Sequence, residues 1–196
     1  MMVLEILKFP DQRLRTVSKP IDKVTPELVK LSADMLETMY AAHGIGLAAP
    51  QVDQHVRLLV IDTRPRDPES RHEKVTTELE DQVQQPIVIF NPEIVKGEGK
   101  TTYDEGCLSV PTFYETVERY NYVEVKGLDK NGKEFVIKTD GLLAICLQHE
   151  MDHLAGKLFI DRISFVKSSR IKSKIKKHGY PTKDQETEDD KEEAPL

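Results

Sequence analysis

The run His149-Glu150-Met151-Asp152-His153 lies inside Leu142 to Leu154, where apolar residues recur at helical spacing. Leu142, Leu143, Ile145, Leu147 and Leu154 leave such a helix little solvated face, so it reads as buried, with Gly156 as its C-terminal stop. Residues four apart on a helix share a face. Both imidazoles can therefore reach one metal ion, while Glu150, one step round, reaches a water held by that ion. The plainer reading, a surface helix with two unrelated histidines, does not suit a segment with so few positions to turn toward water.

Two imidazoles seldom complete a metal site, so a third ligand is needed. The metzincin arrangement would put a His three residues past the glycine, but that position is Phe159. A downstream Glu of the gluzincin kind is missing, since no Glu occurs between Glu150 and Glu186. Asp161 stays open, although it follows the helix stop at once. Cys146 shares the helix face, yet about 10.5 Å of helical rise separates it from His153, too far for both to bind one ion at lengths near 2 Å. It reads as core. Cys107 remains, within Tyr103-Asp-Glu-Gly-Cys-Leu-Ser-Val-Pro111. Gly106 allows an unusual backbone angle or a close approach, and Pro111 ends the segment, which predicts a short extended piece laying a thiolate and the N–H after it beside the helix. A buried structural cysteine is the alternative at this position.

A third element, Gly44 to Gln51, has two glycines and a run of small or rigid residues, suited to a chain that passes close to something, and Gln51 offers both an amide donor and an acceptor. It lacks the spacing and the Lys of a phosphate loop. Directly before it, Thr25 as N-cap, Pro26 at the first helical position, and Leu28, Leu31, Met35 and Met39 predict a helix over 26–42, with Gly44 just past its end. Val56–Ile61 and Ile87–Phe90 read as strands, the second closed by Asn91-Pro92. Arg64 to Gln85 between them is polar and without period, a surface excursion with weak order. Val123–Leu128 and Glu134–Thr139 flank Asp129-Lys-Asn-Gly132 and predict a tight hairpin.

The chain of 196 residues carries a net charge of −6, with 38% hydrophobic and 32% charged residues, enough apolar material for one core rather than two. The charge is uneven. Pro181–Leu196 holds seven acidic and two basic residues and reads as an acidic disordered tail behind a single catalytic domain, 1–180. Val166–His178 holds six Lys/Arg and no acid, with Ile163, Val166, Ile171 and Ile175 as a thin apolar stripe, and reads as a basic C-terminal helix. No apolar run approaches a membrane span and no signal peptide is apparent, so a soluble, cytoplasmic protein with no membrane partner is expected. Two cysteines form no disulfide framework.

Taken together, G-I-G-L-A-A-P-Q at 44–51, E-G-C-L-S at 105–109 and Q-H-E-M-D-H at 148–153 resemble the three signature motifs of the peptide deformylases, bacterial type, each complete. The similarity runs from about Met1 to Lys177. It implies an α+β fold of antiparallel β-sheets packed around a central helix that carries the H-E-x-x-H motif, with a C-terminal helix. It also implies hydrolysis of the N-formyl group from the N-terminal formylmethionine of newly synthesised proteins, releasing formate. Cys107, His149 and His153 would then hold one divalent ion, Fe²⁺ by family resemblance, with Zn²⁺, Ni²⁺ and Co²⁺ accepted by the same ligand types. Glu150 would be the acid and base, and Gln51 with the Leu108 backbone N–H the oxyanion donors. Ile45, Gly46, Leu142 and Ile145 match substrate-binding positions of the methionine pocket.

Some features depart from the family pattern. The 64–85 excursion is longer and more polar than in many relatives, and Tyr114 stands where some have an Arg near the peptide-binding rim. Glu105 and Arg119 match positions that pair to brace the Cys107 segment. Six cations between Lys167 and Lys177 suit phosphates of ribosomal RNA, a docking mode of some bacterial relatives, whereas no sequence-specific nucleic-acid reading is indicated. Two competing functions share parts of the pattern. A zincin-type peptidase uses the same helix but wants a His or carboxylate third ligand. A non-catalytic, metal-stabilised binding module has no use for a base at Glu150.

Overall fold

In the computed structural model, which describes residues 2–65 and 76–180, the elements run α1 (Pro26–Ala41), β1 (Gly46–Ala48), β2 (Leu58–Ile61), α2 (Glu78–Asp81), β3 (Ile87–Glu98), β4 (Thr101–Cys107), β5 (Val110–Arg119), β6 (Tyr122–Leu128), β7 (Glu134–Thr139), α3 (Gly141–Leu154) and α4 (Phe165–His178). Five strands form one antiparallel sheet in the order β1-β2-β3-β6-β7, and β4 and β5 pair as a separate hairpin. This is the α+β arrangement the motifs imply, with the His149–His153 run on the buried helix α3.

Strand alternation explains where the helices sit. Successive side chains of β2 point to opposite faces, and all four are buried because each face is covered. Leu59 and Ile61 pack with Ile89, Val125 and the Leu143, Ala144 and Leu147 side of α3. Leu58 and Val60 pack with Phe90 and with Met35 and Met39 of α1. A third cluster joins Ile171 and Ile175 of α4 to Val110 and Val117 of the β4–β5 hairpin, across Leu158, Phe159 and Ile160. Each fully buried Leu or Phe in these clusters contributes about 1.5–3 kcal/mol. Sheet, α3 and hairpin are thereby tied together around the end of α3.

Several local expectations need correction. The strand at Ile87 does not close at Asn91-Pro92 but continues to Glu98, with a register shift between Phe90 and Glu93. Asn91 takes φ of 50°, and its side chain bonds the Ile21 backbone N–H and C=O at 2.8 and 2.7 Å, so a bulge absorbs the proline's missing donor. Pro111 does not end the Cys107 segment either; it is the second residue of β5, and Cys107 terminates a full strand. Helix α1 starts as read, with Thr25 Oγ1 accepting from the Leu28 N–H, and Gly44 lies past its end, after a left-handed His43 at φ 56°.

The excursion after β2 is not without structure where it is described. Residues 76–85 include the single turn α2, capped by Thr77, and Glu80 in it is only 2% exposed. Residues 66–75 lie outside the described residues, as does the acidic 181–196 segment. In α4 the buried stripe is Ser168, Ile171 and Ile175; Val166 is exposed, since it precedes the turn that meets the hairpin.

Candidate active site and metal centre

Three elements converge on one cavity of about 510 Å³. Helix α3 brings His149 and Glu150, the end of β4 brings Cys107 and Leu108, and β1 with the 3-10 turn Ala49–Val52 brings Gly46 and Gln51. Ile45, Leu142 and Ile145 line the same cavity. His153, 1% exposed, is buried beside Cys107.

The ligand atoms of Cys107, His149 and His153 all lie within 4.8 Å of one another, with Cys107 Sγ 3.3 Å from His153 Nε2. The two imidazoles cross at 79° with centroids 4.9 Å apart. Tetrahedral bonds of about 2.0–2.3 Å put ligand atoms roughly 3.3–3.7 Å apart, so a metal ion fits between them with little movement. His149 Nδ1 meets Glu105 Oε2 at 2.7 Å, which leaves its Nε2 for the shared point. Burial opposes charge on His149, but contacts to Cys107 and Glu105 outweigh it and raise its pKa above the ordinary value. Burial, with the His149 charge adding, holds His153 well down and therefore neutral, the form a ligand needs.

Behind Glu105 a buried ion-pair chain continues. Arg119 donates to Glu105 through Nε at 2.7 Å and Nη2 at 2.8 Å, and to Asp152 through Nη1 at 2.5 Å. Arg162 donates to both Asp152 oxygens. The sequence reading gives Asp152 no role of its own; an acid inside a buried helix is the signal that marks it. Asp161, open as a third ligand, is instead paired with Arg15 and accepts the Leu158 N–H at 2.9 Å.

Gln51 is 1% exposed, and both ends of its amide are placed. Its Oε1 accepts the Ala48 N–H at 2.8 Å, and its Nε2 donates to Ser109 Oγ at 3.1 Å and lies 3.7 Å from Cys107 Sγ. The backbone bond fixes which end is the donor. Ser109, fully buried, is a partner that residue reading passed over. Glu150 is 4% exposed, its Oε2 has no hydrogen-bond partner, and burial, with Glu105 and Asp152 adding, pushes its pKa up to about 7 against the opposing His149 charge. Gly46 makes room for it: a Cβ there would overlap Glu150 Oε1 and come 2.8 Å from Cys146 Sγ. Cys146 itself is buried core, its Sγ 3.7 Å from the Ile45 carbonyl, with burial raising its pKa.

A cysteine sulfur and two imidazoles converging on one point, with an unpartnered carboxyl oxygen beside a largely apolar cavity, are the arrangement of a mononuclear metal-dependent hydrolase. The family model described as polypeptide deformylase matches residues 3–169. Curated peptide deformylases from Cellvibrio japonicus and Neisseria meningitidis serogroup C are 52% and 49% identical over 178 and 177 residues, covering 90% of this chain and 96% of each relative. The crystal structure of peptide deformylase from Ehrlichia chaffeensis in complex with actinonin superposes with a TM-score of 0.80 at 41% identity, over 92% of this chain and all of that one. The chain belongs to the polypeptide deformylase family.

Proposed function

We propose the residue roles by which this chain performs the reaction of its family, hydrolysis of the N-formyl group from the N-terminal formylmethionine of newly made polypeptides. Cys107, His149 and His153 hold one divalent ion, Glu150 moves the proton, and Gln51 with the Leu108 N–H binds the developing oxyanion. The observation that carries this reading is the closeness of the three ligand atoms, all within 4.8 Å, in the same cavity as the unpartnered Glu150 Oε2. Such an ion, when bound, supplies Lewis acidity and makes water acidic enough to react near neutral pH. Fe²⁺ is the ion assigned by family resemblance, and Zn²⁺, Ni²⁺ and Co²⁺ suit the same donors.

The methionine side chain enters among Ile45, Leu142 and Ile145, with Gly46 leaving the path to Glu150 open. Glu150 takes a proton from the attacking water as its oxygen bonds to the formyl carbon. Gln51 Nε2 and the Leu108 N–H donate to the carbonyl oxygen as it gains charge; one such donor is worth about 3 kcal/mol of barrier. Glu150 then passes the proton to the nitrogen as the C–N bond breaks, leaving formate and a free methionine amine.

The peptidase reading lacks its third ligand, since Phe159 is buried core and Asp161 is committed to Arg15. Release of formate from a formyl-Met-Ala-Ser peptide, lost on chelation and restored by metal, with an internally quenched peptide left intact, is the expected outcome. Cleavage of the quenched peptide instead would favour the peptidase, and a metallated protein inert to both would favour the binding module.

Residues 1–180 would form the catalytic domain, with the acidic segment 181–196 behind it. The cytoplasm is the compartment where nascent formylated chains occur; no helix among the described residues is long and apolar enough to cross a membrane. On α4, Lys167 and Lys172 turn to Glu115 and Asp161, while Arg170, Lys174, Lys176 and Lys177 add cations suited to ribosomal phosphates. Salt-sensitive cosedimentation with ribosomes, lost when those four are changed to Ala, would support docking; unchanged cosedimentation would end it.

A further inference from the structure

Helix α3 begins without a cap of its own. Asp140 stands at the N-cap position, yet its side chain makes no capping bond and is engaged by Thr77 Oγ1 from the start of α2. The first amides of a helix favour a negative group in front of them, and here a carboxylate from outside the helix lies there. Glu80 of α2, 2% exposed, accepts from Thr63 Oγ1 at 2.8 Å through Oε1, while Oε2 is buried without a well-formed hydrogen bond and aimed at the first turn of α3. A Cβ on Gly141 would be 2.6 Å from that oxygen, and the Leu142 and Leu143 amides lie close enough to stabilise its charge. Burial is the larger influence and keeps the Glu80 pKa above the ordinary range.

The same stem is bolted down elsewhere. The Thr63 N–H donates to Gln85 Oε1 at 2.7 Å, and the Glu80 N–H donates to Thr77 Oγ1 at 3.0 Å. Val83 packs on the cluster that holds α3 to the sheet. The polar excursion between β2 and β3 therefore returns as a bracket on the end of α3 where Leu142 enters the cavity, about two turns from His149.

We propose that Glu80 is a positioning residue for substrate selection: it holds the first turn of α3, and through that turn sets Leu142 and Ile145 around the methionine side chain. The inference rests on the assignment of the cavity as the methionine pocket. Glu80 touches neither substrate nor metal ligand, so its loss should act on side-chain discrimination more than on the chemical step.

The test compares Glu80→Ala, Glu80→Gln and Thr63→Val with the wild type on formyl-Met-Ala-Ser and formyl-Ala-Ala-Ser, with kcat and KM separated and metal content measured on each sample. Glu80→Ala is expected to raise KM for the methionine peptide and to lower the methionine-over-alanine ratio of kcat/KM by about five-fold or more, because small displacements of pocket walls carry large rate costs. Glu80→Gln, which keeps an acceptor for the two amides, should restore most of that ratio, and Thr63→Val should lower it in the same direction. Should the Ala variant fail to fold, the ratio in Thr63→Val decides. Equal losses on both peptides, or an unchanged ratio, would overturn the positioning role. A wild type that releases formate from neither peptide would instead overturn the assigned function.

Discussion

Glu105 Oε2 lies 2.7 Å from His149 Nδ1, and the same carboxylate is held by two nitrogens of Arg119. The orientation of one candidate ligand is thus fixed by a hairpin strand, and the strand is fixed in turn to Asp152 on the helix that carries the ligand. Helix α3 and the β4–β5 hairpin are locked to each other by buried charges that begin at Glu105 in the cavity wall and run on to Arg119 and Asp152.

Glu105→Ala should therefore do two things. Removing the partner of a ligating histidine typically weakens metal binding about 10–100-fold. Leaving Arg119 buried with one partner fewer should cost about 3–5 kcal/mol of stability. Metal competition with a chelator and equilibrium unfolding check the two effects separately; metal affinity equal to wild type would show that His149 is oriented by packing alone.

Gly46→Ala places a methyl group into Glu150 Oε1 and against Cys146 Sγ. The protein should fold and retain metal while kcat falls about 100-fold, since displacing a proton-transfer group by an ångström has that order of effect. Circular dichroism, metal analysis and steady-state kinetics on one preparation distinguish this from unfolding.

Gln51→Leu removes the proposed side-chain oxyanion donor and also the Ala48 contact. A loss of about 10²–10³ in kcat is expected, with metal content unchanged. A variant that loses only KM would show that Gln51 binds the ground state.

Asp62 gives a pH signature that involves none of the candidate metal ligands. Burial favours its neutral form, but the Arg64 guanidinium at 2.8 Å and the Tyr40 hydroxyl at 2.7 Å outweigh it and hold the pKa below the usual carboxylate range. A depressed folded pKa stabilises fully above the unfolded value, near 3.9, and the gain is lost as pH falls through the lower folded value. The stability gap between wild type and Asp62→Asn should be flat from about pH 5 to 7 and narrow below about pH 4. Urea unfolding across that range measures it; a gap that widens with acid would reverse the assigned direction.

How much of this is legible in the residues varies with the element. Helix α3 could be read nearly to its ends because the apolar period, the two histidines and Gly156 agree with one another. The hairpin itself was legible at this turn, but of the Asn-Gly pair only Gly132 takes a positive φ, 76°, and the loop 129–133 is held by the Asp129 side chain, which accepts the Asn131 and Lys133 N–H groups at 2.8 and 2.9 Å. The β4–β5 hairpin was obscured for the opposite reason. It buries few apolar side chains, and Pro111 looks like a stop although it sits where β5 begins. Asn91-Pro92 likewise reads as an end, because a bulge is a tertiary solution that local propensity does not reveal. The candidate ligands could be proposed by elimination, whereas Ser109, Asp152 and Glu80 depend on neighbours 58, 33 and 17 residues away.

The most direct test is formate release from formyl-Met-Ala-Ser by protein purified without oxygen, with metal content determined on the same sample and Glu150→Gln run beside it. Rapid release by the wild type with one ion per chain is expected, and at least about a 100-fold loss in the variant at unchanged metal content. Near-normal turnover by Glu150→Gln would contradict the assignment of the proton to Glu150, and no release by a fully metallated wild type would contradict the function itself.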